Sequence, residues 1–357
     1  MGDIKKMTDW DKLKGILEQT PLEKKSWAID EAKLREHLRG RVKGQDAVVN
    51  DVARLIRLNW RKEKRTQPIC NLLFLGPTGT GKTELAKAIA EYLFEDEKNM
   101  LRFDCSELSS GDMAKSRLTG SSVGFTGSEQ GGQLTRPMFA NPKRVVLFDE
   151  IEKAHPSVFD LFLQMMGDGR LTEQSTGKTA DFTQAVIILT SNAKAEEISK
   201  IAGEIADYRQ LLNAIKSYLA DTKVFRPEIL GRLDKVYIFK PLEGMVIAEI
   251  ALLKIAKLAK EYELAVNFVA PELLIQALEA NVKVSKFGIR ELERILFDLF
   301  AHLLVEARDK GAKMVSFEVD DQGHIRCTQA QPPAPGEGSP KAKSQESGEG
   351  SAPAGGS

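Results

Sequence analysis

The sequence predicts an α/β protein, a doubly wound parallel sheet of five strands followed by a smaller α+β domain. Three observations carry that expectation. Short apolar runs alternate with helical stretches from about 41 to 240. The motif Gly-Pro-Thr-Gly-Thr-Gly-Lys-Thr at 76–83 stands where one of those runs gives way to a helix. At Pro241 the pattern changes to amphipathic helices with a few short strands. Continuous apolar strands that alternate with helices belong to a parallel sheet buried on both faces.

Residues 1–40 are charged and helical in pieces, with Trp10 and Trp27 as isolated anchors; Leu22, Trp27 and Ile29 are expected to dock on the body that follows. Apolar runs at 71–75, 100–104, 145–148, 185–190 and 235–239 are the five strands of a domain spanning 41–240. In the second domain, 241–327, a helix over 245–260 leads to a short strand at 264–268 and a helix starting near Pro271. Ile289, Leu292, Ile295, Leu296, Leu299, Phe300, Leu303 and Leu304 then follow three-and-four spacing, one apolar face of a long helix. Runs at 314–319 and 324–327, separated by Asp-Asp-Gln-Gly, read as a hairpin. Beyond Thr328 there is no Val, Leu, Ile or aromatic residue, so 328–357 is expected to be a disordered tail.

Basic and acidic side chains balance at 51 each, so bulk charge recruits neither nucleic acid nor an anionic membrane. Cys70, Cys105 and Cys327 are scattered, as are His37, His155, His302 and His324, without metal-ligand spacing. They read as packed or incidental residues of a reducing compartment. The first residues lack the apolar stretch of a secretory signal, and no run approaches 18 apolar residues. A cytoplasmic protein without a membrane span is expected.

The 76–83 motif matches G-x-x-x-x-G-K-[ST], a phosphate-binding loop between strand and helix. Gly76, Pro77, Thr78, Gly79, Thr80 and Gly81 would wrap backbone N–H groups around a phosphate. Lys82 would reach the β- and γ-phosphates of ATP, and the Thr83 hydroxyl would ligate Mg²⁺. A Gly-rich turn closing a βαβ unit is the alternative. The strand at 145–148 ends in Asp149 and Glu150. Asp149 is placed to hold Mg²⁺ through its water shell, and Glu150 to polarise the attacking water as general base. Asn192, after the strand at 185–190, would orient that water or, by spacing alone, merely cap a turn.

Taken in order, these residues resemble the AAA+ ATPases of the Clp type, specifically the C-terminal ATPase module of the protein disaggregases. The similarity covers about 41–327. Its markers are Arg-Val-Lys-Gly-Gln-Asp at 41–46, the phosphate loop, Asp-Glu-Ile-Glu-Lys-Ala-His-Pro at 149–156, Asp-Gly-Arg-Leu-Thr at 168–172, Phe-Arg-Pro-Glu at 225–228, Gly-Arg-Leu-Asp at 231–234 and Phe-Gly-Ile-Arg at 287–290. The resemblance implies the P-loop NTPase (AAA+) fold with a small C-terminal lid domain. Arg232 matches the family's arginine finger, which reaches the γ-phosphate of the neighbouring subunit. Arg290 matches the sensor arginine that couples nucleotide state to domain angle, and Arg226 is a further candidate at the subunit interface. For all three the alternative is an intradomain ion pair. Val42 matches the apolar residue that packs on adenine, with ordinary core packing as its alternative.

Five glycines surround Phe125 between 120 and 135. Gly124-Phe125-Thr126-Gly127 is similar to the aromatic pore loop that grips an extended polypeptide in the channel of a hexameric ring, with Phe where the family usually has Tyr. The alternative is that Phe125 is a packing residue. A second, polar loop at 173–180 is expected to line the same channel. The stretch 120–135 carries only Glu129 as a charge, which argues against a nucleic-acid partner. The Ile-Gly-[Phe/Leu] signature by which related unfoldases dock a barrel peptidase does not occur between Asn192 and Phe225, so no such partner is expected. The resemblance therefore implies an ATP-driven unfoldase or disaggregase, a chaperone acting on unfolded or aggregated protein as a single-tier homo-oligomeric ring. The alternatives are a nucleotide-gated scaffold that remodels partners without threading them, and a nucleic-acid remodelling ATPase.

Overall fold

The computed structural model describes residues 29–121, 131–222, 224–283, 289–320 and 324–330, apart from the side chains of Asp112, 280–283 and 289–290. The chain divides into two units. One runs to Ile250 and includes the segment ending at Glu291; the other comprises Ala251–Lys283 and residues from Leu292 onward.

The first unit runs α1 (Glu31–Arg41), α2 (Asp46–Trp60), β1 (Cys70–Leu75), α3 (Lys82–Phe94), β2 (Met100–Asp104), α4 (Gly111–Thr119), α5 (Thr135–Ala140), β3 (Val145–Asp149), α6 (Pro156–Asp168), β4 (Arg170–Thr172), β5 (Thr179–Asp181), β6 (Val186–Ser191), α7 (Ala195–Glu204), α8 (Tyr208–Asp221), α9 (Pro227–Arg232) and β7 (Lys235–Ile238). Its main sheet has the order β2-β3-β6-β1-β7. Every pairing in it is parallel. All six residues of β1 and of β6 are buried, which is why both strands carry an apolar run, Leu72–Leu75 and Val186–Leu189.

Alternate residues face opposite cores. Leu73, Leu75, Val146, Phe148, Ile187 and Leu189 pack with Phe162, Met165 and Met166 of α6. Leu72, Phe74, Val145, Leu147, Val186 and Ile188 pack with Leu34, Val52, Leu85 and Ile89 from α1, α2 and α3. Ile29, expected to dock on the body, is partly buried against this second core. The two-sided burial that doubly wound connectivity requires is present. Local signals set the helix ends: Asp30 caps α1 through Ala32 and Lys33 N–H groups, and Pro156 opens α6, which Gly169 closes at φ 62°.

Register then places the functional ends side by side. Leu75 stands opposite Ser191, and Phe148 opposite Leu189. The carboxyl ends of β1, β3 and β6 therefore meet at one edge, where open α/β sheets bind ligands. Residues 173–180, expected as a polar loop, are instead the turn and part of β5 in an antiparallel hairpin that pairs Arg170 with Asp181.

In the second unit, α10 (Met245–Glu261) begins in the first unit and contributes buried Ala251, Ile255 and Ala259. β8 (Ala265–Val269), α11 (Pro271–Lys283), α12 (Ile289–Asp309), β9 (Met314–Val319) and β10 (Ile325–Gln329) follow. Leu292, Leu296, Phe300 and Leu304 are buried along α12, as the three-and-four spacing requires, and Phe300 meets Phe317 edge-on at 4.7 Å. The sheet order is β10-β9-β8, with β9 and β10 forming the expected hairpin. β10 runs through Thr328 and Gln329, assigned by composition to the tail. Gln329 stands opposite Val315, and ladder pairing needs no apolar side chain.

Candidate nucleotide site

The turn from β1 into α3 is built on Gly76, Gly79 and Gly81, all at positive φ. Gly76 has φ 142°, and a Cβ there would lie 2.4 Å from the Phe239 carbonyl oxygen. Gly79 and Gly81 have φ of 76° and 98°, the left-handed region. α3 carries no side-chain cap, so its first-turn N–H groups are open to an anion. Lys82, the first residue of α3, is 6% exposed, and Nζ donates to the carbonyls of Gly76 at 2.6 Å and Pro77 at 2.7 Å. Burial pulls its pKa down to about 8, against the opposing pull of the Asp149, Glu152 and Glu150 carboxylates.

Gln45 buckles this loop to the end of β7. Its amide donates to Thr80 O at 3.3 Å and Lys240 O at 2.8 Å, and its Oε1 accepts the Lys240 N–H at 3.1 Å. Val42 is buried, with Cγ1 3.3 Å from where a Cβ on Gly81 would sit. A sunken cation, an uncapped helix start and a turn with glycine at 76, 79 and 81 form the donor set that a polyphosphate requires. These residues fit ATP.

Facing the loop, β3 ends in Asp149 and the chain bends sharply at Glu150, which has φ 55°. A non-glycine residue there stores about 1–3 kcal/mol of strain, and such residues cluster at functional sites. The bend is held from β6. The Thr190 hydroxyl is fully buried, donates to Asp149 Oδ1 and accepts the Glu150 N–H at 3.2 Å. Arg102 on β2 donates to Asp149 Oδ2 at 2.6 Å. Asn192 Nδ2 donates to Glu150 Oε1 at 3.0 Å, and Lys153 Nζ lies 2.5 Å from Oε2. The Asn192 N–H meets Glu152 Oε1 at 3.1 Å, while Glu152 Oε2 is buried and has no hydrogen-bond partner among the described residues. Asp149 and Thr83, the second residue of α3, are hard oxygen donors of the kind Mg²⁺ takes alongside substrate phosphates.

Residues 67–236 match the family of AAA domains (Cdc48 subfamily). The chain is similar to the chaperone protein ClpB of Wolinella succinogenes, 40% identical over 296 residues, which is 80% of this chain and 33% of that protein. Chaperone protein ClpB 1 of Thermosynechococcus vestitus is 40% identical over 267 residues, 74% of this chain and 30% of its own. Heat shock protein 100 of Trypanosoma brucei brucei is 45% identical over 214 residues, 58% of this chain and 24% of its own. The chain carries a Clp-type AAA+ ATPase domain. It spans about a third of the length of the curated relatives it matches.

Within this AAA+ domain the arginines differ in environment. Arg226 pairs with Asp160 at 3.2 Å and lies 5.8 Å from the Phe159 ring centre, the intradomain contact that was its alternative. Arg232 is exposed at the end of α9, and its guanidinium has no hydrogen bond or ion pair among the described residues. Arg290 is the second residue of α12, with its side chain outside the described residues.

Gly124, Phe125, Thr126 and Gly127 also lie outside them, but both stems of their loop are described. The Gln133 N–H donates to Arg117 O at 2.8 Å and the Leu134 N–H to Leu118 O at 3.1 Å, closing the neck. Glu173, at the hairpin turn, is 3% exposed and accepts from the Gly132 N–H at 2.9 Å, Thr135 Oγ1 at 3.0 Å and Thr176 Oγ1 at 2.7 Å. The Gln174 N–H reaches Thr119 O at 2.8 Å, so the hairpin grips both stems. No helix among the described residues is long and apolar enough to cross a membrane.

Sequence reasoning missed Thr190, Arg102, Lys153, Glu152 and Glu173. Glu152 and Lys153 had a local signal, standing two and three residues after Glu150 in the Asp-Glu-Ile-Glu-Lys run. The others act across strands or through the hairpin fold.

Proposed function

We propose that this chain is an ATP-driven protein unfoldase or disaggregase acting as a hexameric, single-tier ring in the cytoplasm. The observation that carries it is the Glu150–Asn192 pair, set beside Lys82 and on the same unit as the hairpin-braced neck of the Phe125 loop. Its large nucleotide-binding domain spans 41–240, and its small domain runs from 241 through the end of β10 at Gln329.

Gly76 to Gly81, Lys82 and the start of α3 hold the phosphates of ATP, with Val42 on the adenine. Thr83 and Asp149 would hold Mg²⁺, which would supply charge neutralisation to the phosphate oxygens. Glu150 takes a proton from the attacking water, whose oxygen bonds to the γ-phosphorus as ADP leaves, while Asn192 fixes the carboxylate that does so. Arg232 acts on the neighbouring subunit's γ-phosphate, and Arg290 ties nucleotide state to the angle of the small domain. Phe125 grips unfolded polypeptide in the channel; a flat ring contacts many side chains without demanding a sequence.

Steady-state ATPase with and without an unfolded model protein, on the native chain and Phe125→Ala, tests this reading. Stimulation in the native chain that Phe125→Ala loses while keeping its basal rate supports threading. Equal stimulation in both ends the pore-loop assignment and leaves a nucleotide-gated scaffold. Stimulation by single-stranded nucleic acid alone would instead identify a nucleic-acid remodeller.

A further inference from the structure

We propose that Asn71 and Gly167 are positioning residues for Arg232, fixing where its guanidinium is offered to the adjoining subunit. The inference rests on the reading of Arg232 as a finger acting in trans.

Asn71 is the one strongly polar side chain in β1, a strand that is otherwise cysteine, leucine and phenylalanine. It is 3% exposed. Its Nδ2 donates to Arg232 O at 3.2 Å and to Met166 O at 3.0 Å, and its Oδ1 is buried without a hydrogen-bond partner among the described residues. Burying an amide whose oxygen is left unpaired works against stability. Leu or Val would suit a central strand better, so stability does not account for Asn here. What the amide does is tie the carbonyl of Arg232 to the last turn of α6. The backbone of the same residue completes the clamp. The Asn71 N–H donates to Asp234 Oδ2 at 2.7 Å, and Asn71 O accepts the Asp234 N–H at 2.9 Å. Residues 232 and 234 are thus both fastened to one residue.

Gly167 provides the seat. It lies in the last turn of α6, and a Cβ there would stand 2.9 Å from Cζ, 3.0 Å from Nη1 and 3.2 Å from Nε of Arg232. The guanidinium rests against bare helix backbone beside the Met166 carbonyl that Asn71 holds. Alanine at 167 is a better helix former than glycine, so the helix itself gains. The atoms that must move are the far end of one long side chain. Gly167→Ala therefore displaces the finger while leaving the fold intact.

The test is ATPase complementation in mixed rings. Gly167→Ala subunits keep their own Glu150 but present a displaced finger; Glu150→Gln subunits present a good finger but cannot hydrolyse. Gly167→Ala alone is expected to lose roughly 10- to 100-fold in maximal rate, the cost of ångström-scale misplacement. Its thermal midpoint should not fall below the native one, and its affinity for a fluorescent ATP analogue should stay within about twofold. Mixed with Glu150→Gln, it should regain activity above either alone. Asn71→Leu is expected to behave likewise. Arg232→Ala mixed with Glu150→Gln is the control. If that control complements and Gly167→Ala is either fully active alone or not rescued, Gly167 does not seat the finger and the inference fails while the Arg232 reading stands. If the control itself does not complement, the reading of Arg232 fails and takes the inference with it.

Discussion

Asn192 donates its side-chain amide to Oε1 of Glu150 at 3.0 Å, linking the end of β6 to the bend after β3. The other carboxylate oxygen is held by Lys153, so Asn192→Ala frees one side of the base without removing it. Maximal ATPase should fall roughly 10²-fold, with Mg-nucleotide affinity by fluorescence titration close to native. A variant that hydrolyses at the native rate would show that Asn192 only caps the turn.

Thr190 holds both residues of the β3 edge at once, its hydroxyl donating to the Asp149 carboxylate and accepting the Glu150 backbone N–H. Thr190→Val preserves shape and removes both contacts, stranding buried polar groups. Urea denaturation should show a loss of about 1–3 kcal/mol, and hydrolysis should need more Mg²⁺ for half-maximal rate. Unchanged values in both assays would make the hydroxyl incidental.

Lys82 carries a charge that burial disfavours, with its pKa pulled from 10.5 to about 8. The unfolded chain therefore binds more protons than the folded one between those limits, and native stability rises with pH across that window. Lys82→Met has no such group. The native-minus-variant difference in thermal midpoint should become more positive from pH 8 to 10.5, while Mg-ATP should stabilise only the native chain. A flat difference would mean that the lysine is solvated in the free protein.

For Glu173, burial pushes the pKa up, but the Gly132 N–H and the Thr176 and Thr135 hydroxyls outweigh it, and the net effect lowers the pKa from its ordinary value. The stabilisation is present above the unfolded-state value and is lost as pH falls through the lowered folded-state one. Glu173→Gln should be less stable at pH 7 by thermal melt, with the gap to native narrowing below about pH 4.5. Hydrogen exchange at the Gln133 and Leu134 amides should also quicken at pH 7, since the neck loses its brace. Identical melts at every pH would remove Glu173 from this role.

The strands and the phosphate loop were legible because their signals are local. Residues 72–75 are apolar without a break, and Gly76–Thr83 announces itself by spacing. The order β2-β3-β6-β1-β7 was not legible, since it depends on which buried strand pairs with which, and Val, Ile and Leu runs look alike. Asn71 read as the start of a strand, and nothing in the sequence ties it to Arg232, 161 positions away. Glu173 looked like a loop carboxylate because its burial comes from the 131–135 segment folding over it. Arg226 shows the opposite case, a plausible interface residue by motif that the fold pairs with Asp160.

One feature of β1 bears on how copies of this chain can join. The phosphate loop leaves one end of the strand and the Arg232 segment is clamped near the other, about 17 Å apart at roughly 3.3 Å per residue. Two patches that lie apart on one body and fit each other rather than themselves make a head-to-tail contact. If Arg232 acts on a neighbour's phosphate loop as proposed, the contact has no dyad axis and a two-fold dimer would satisfy neither patch. Growth ends only when the rotation per copy divides a full circle; otherwise it continues as a spiral with one arginine and one phosphate loop exposed at opposite ends.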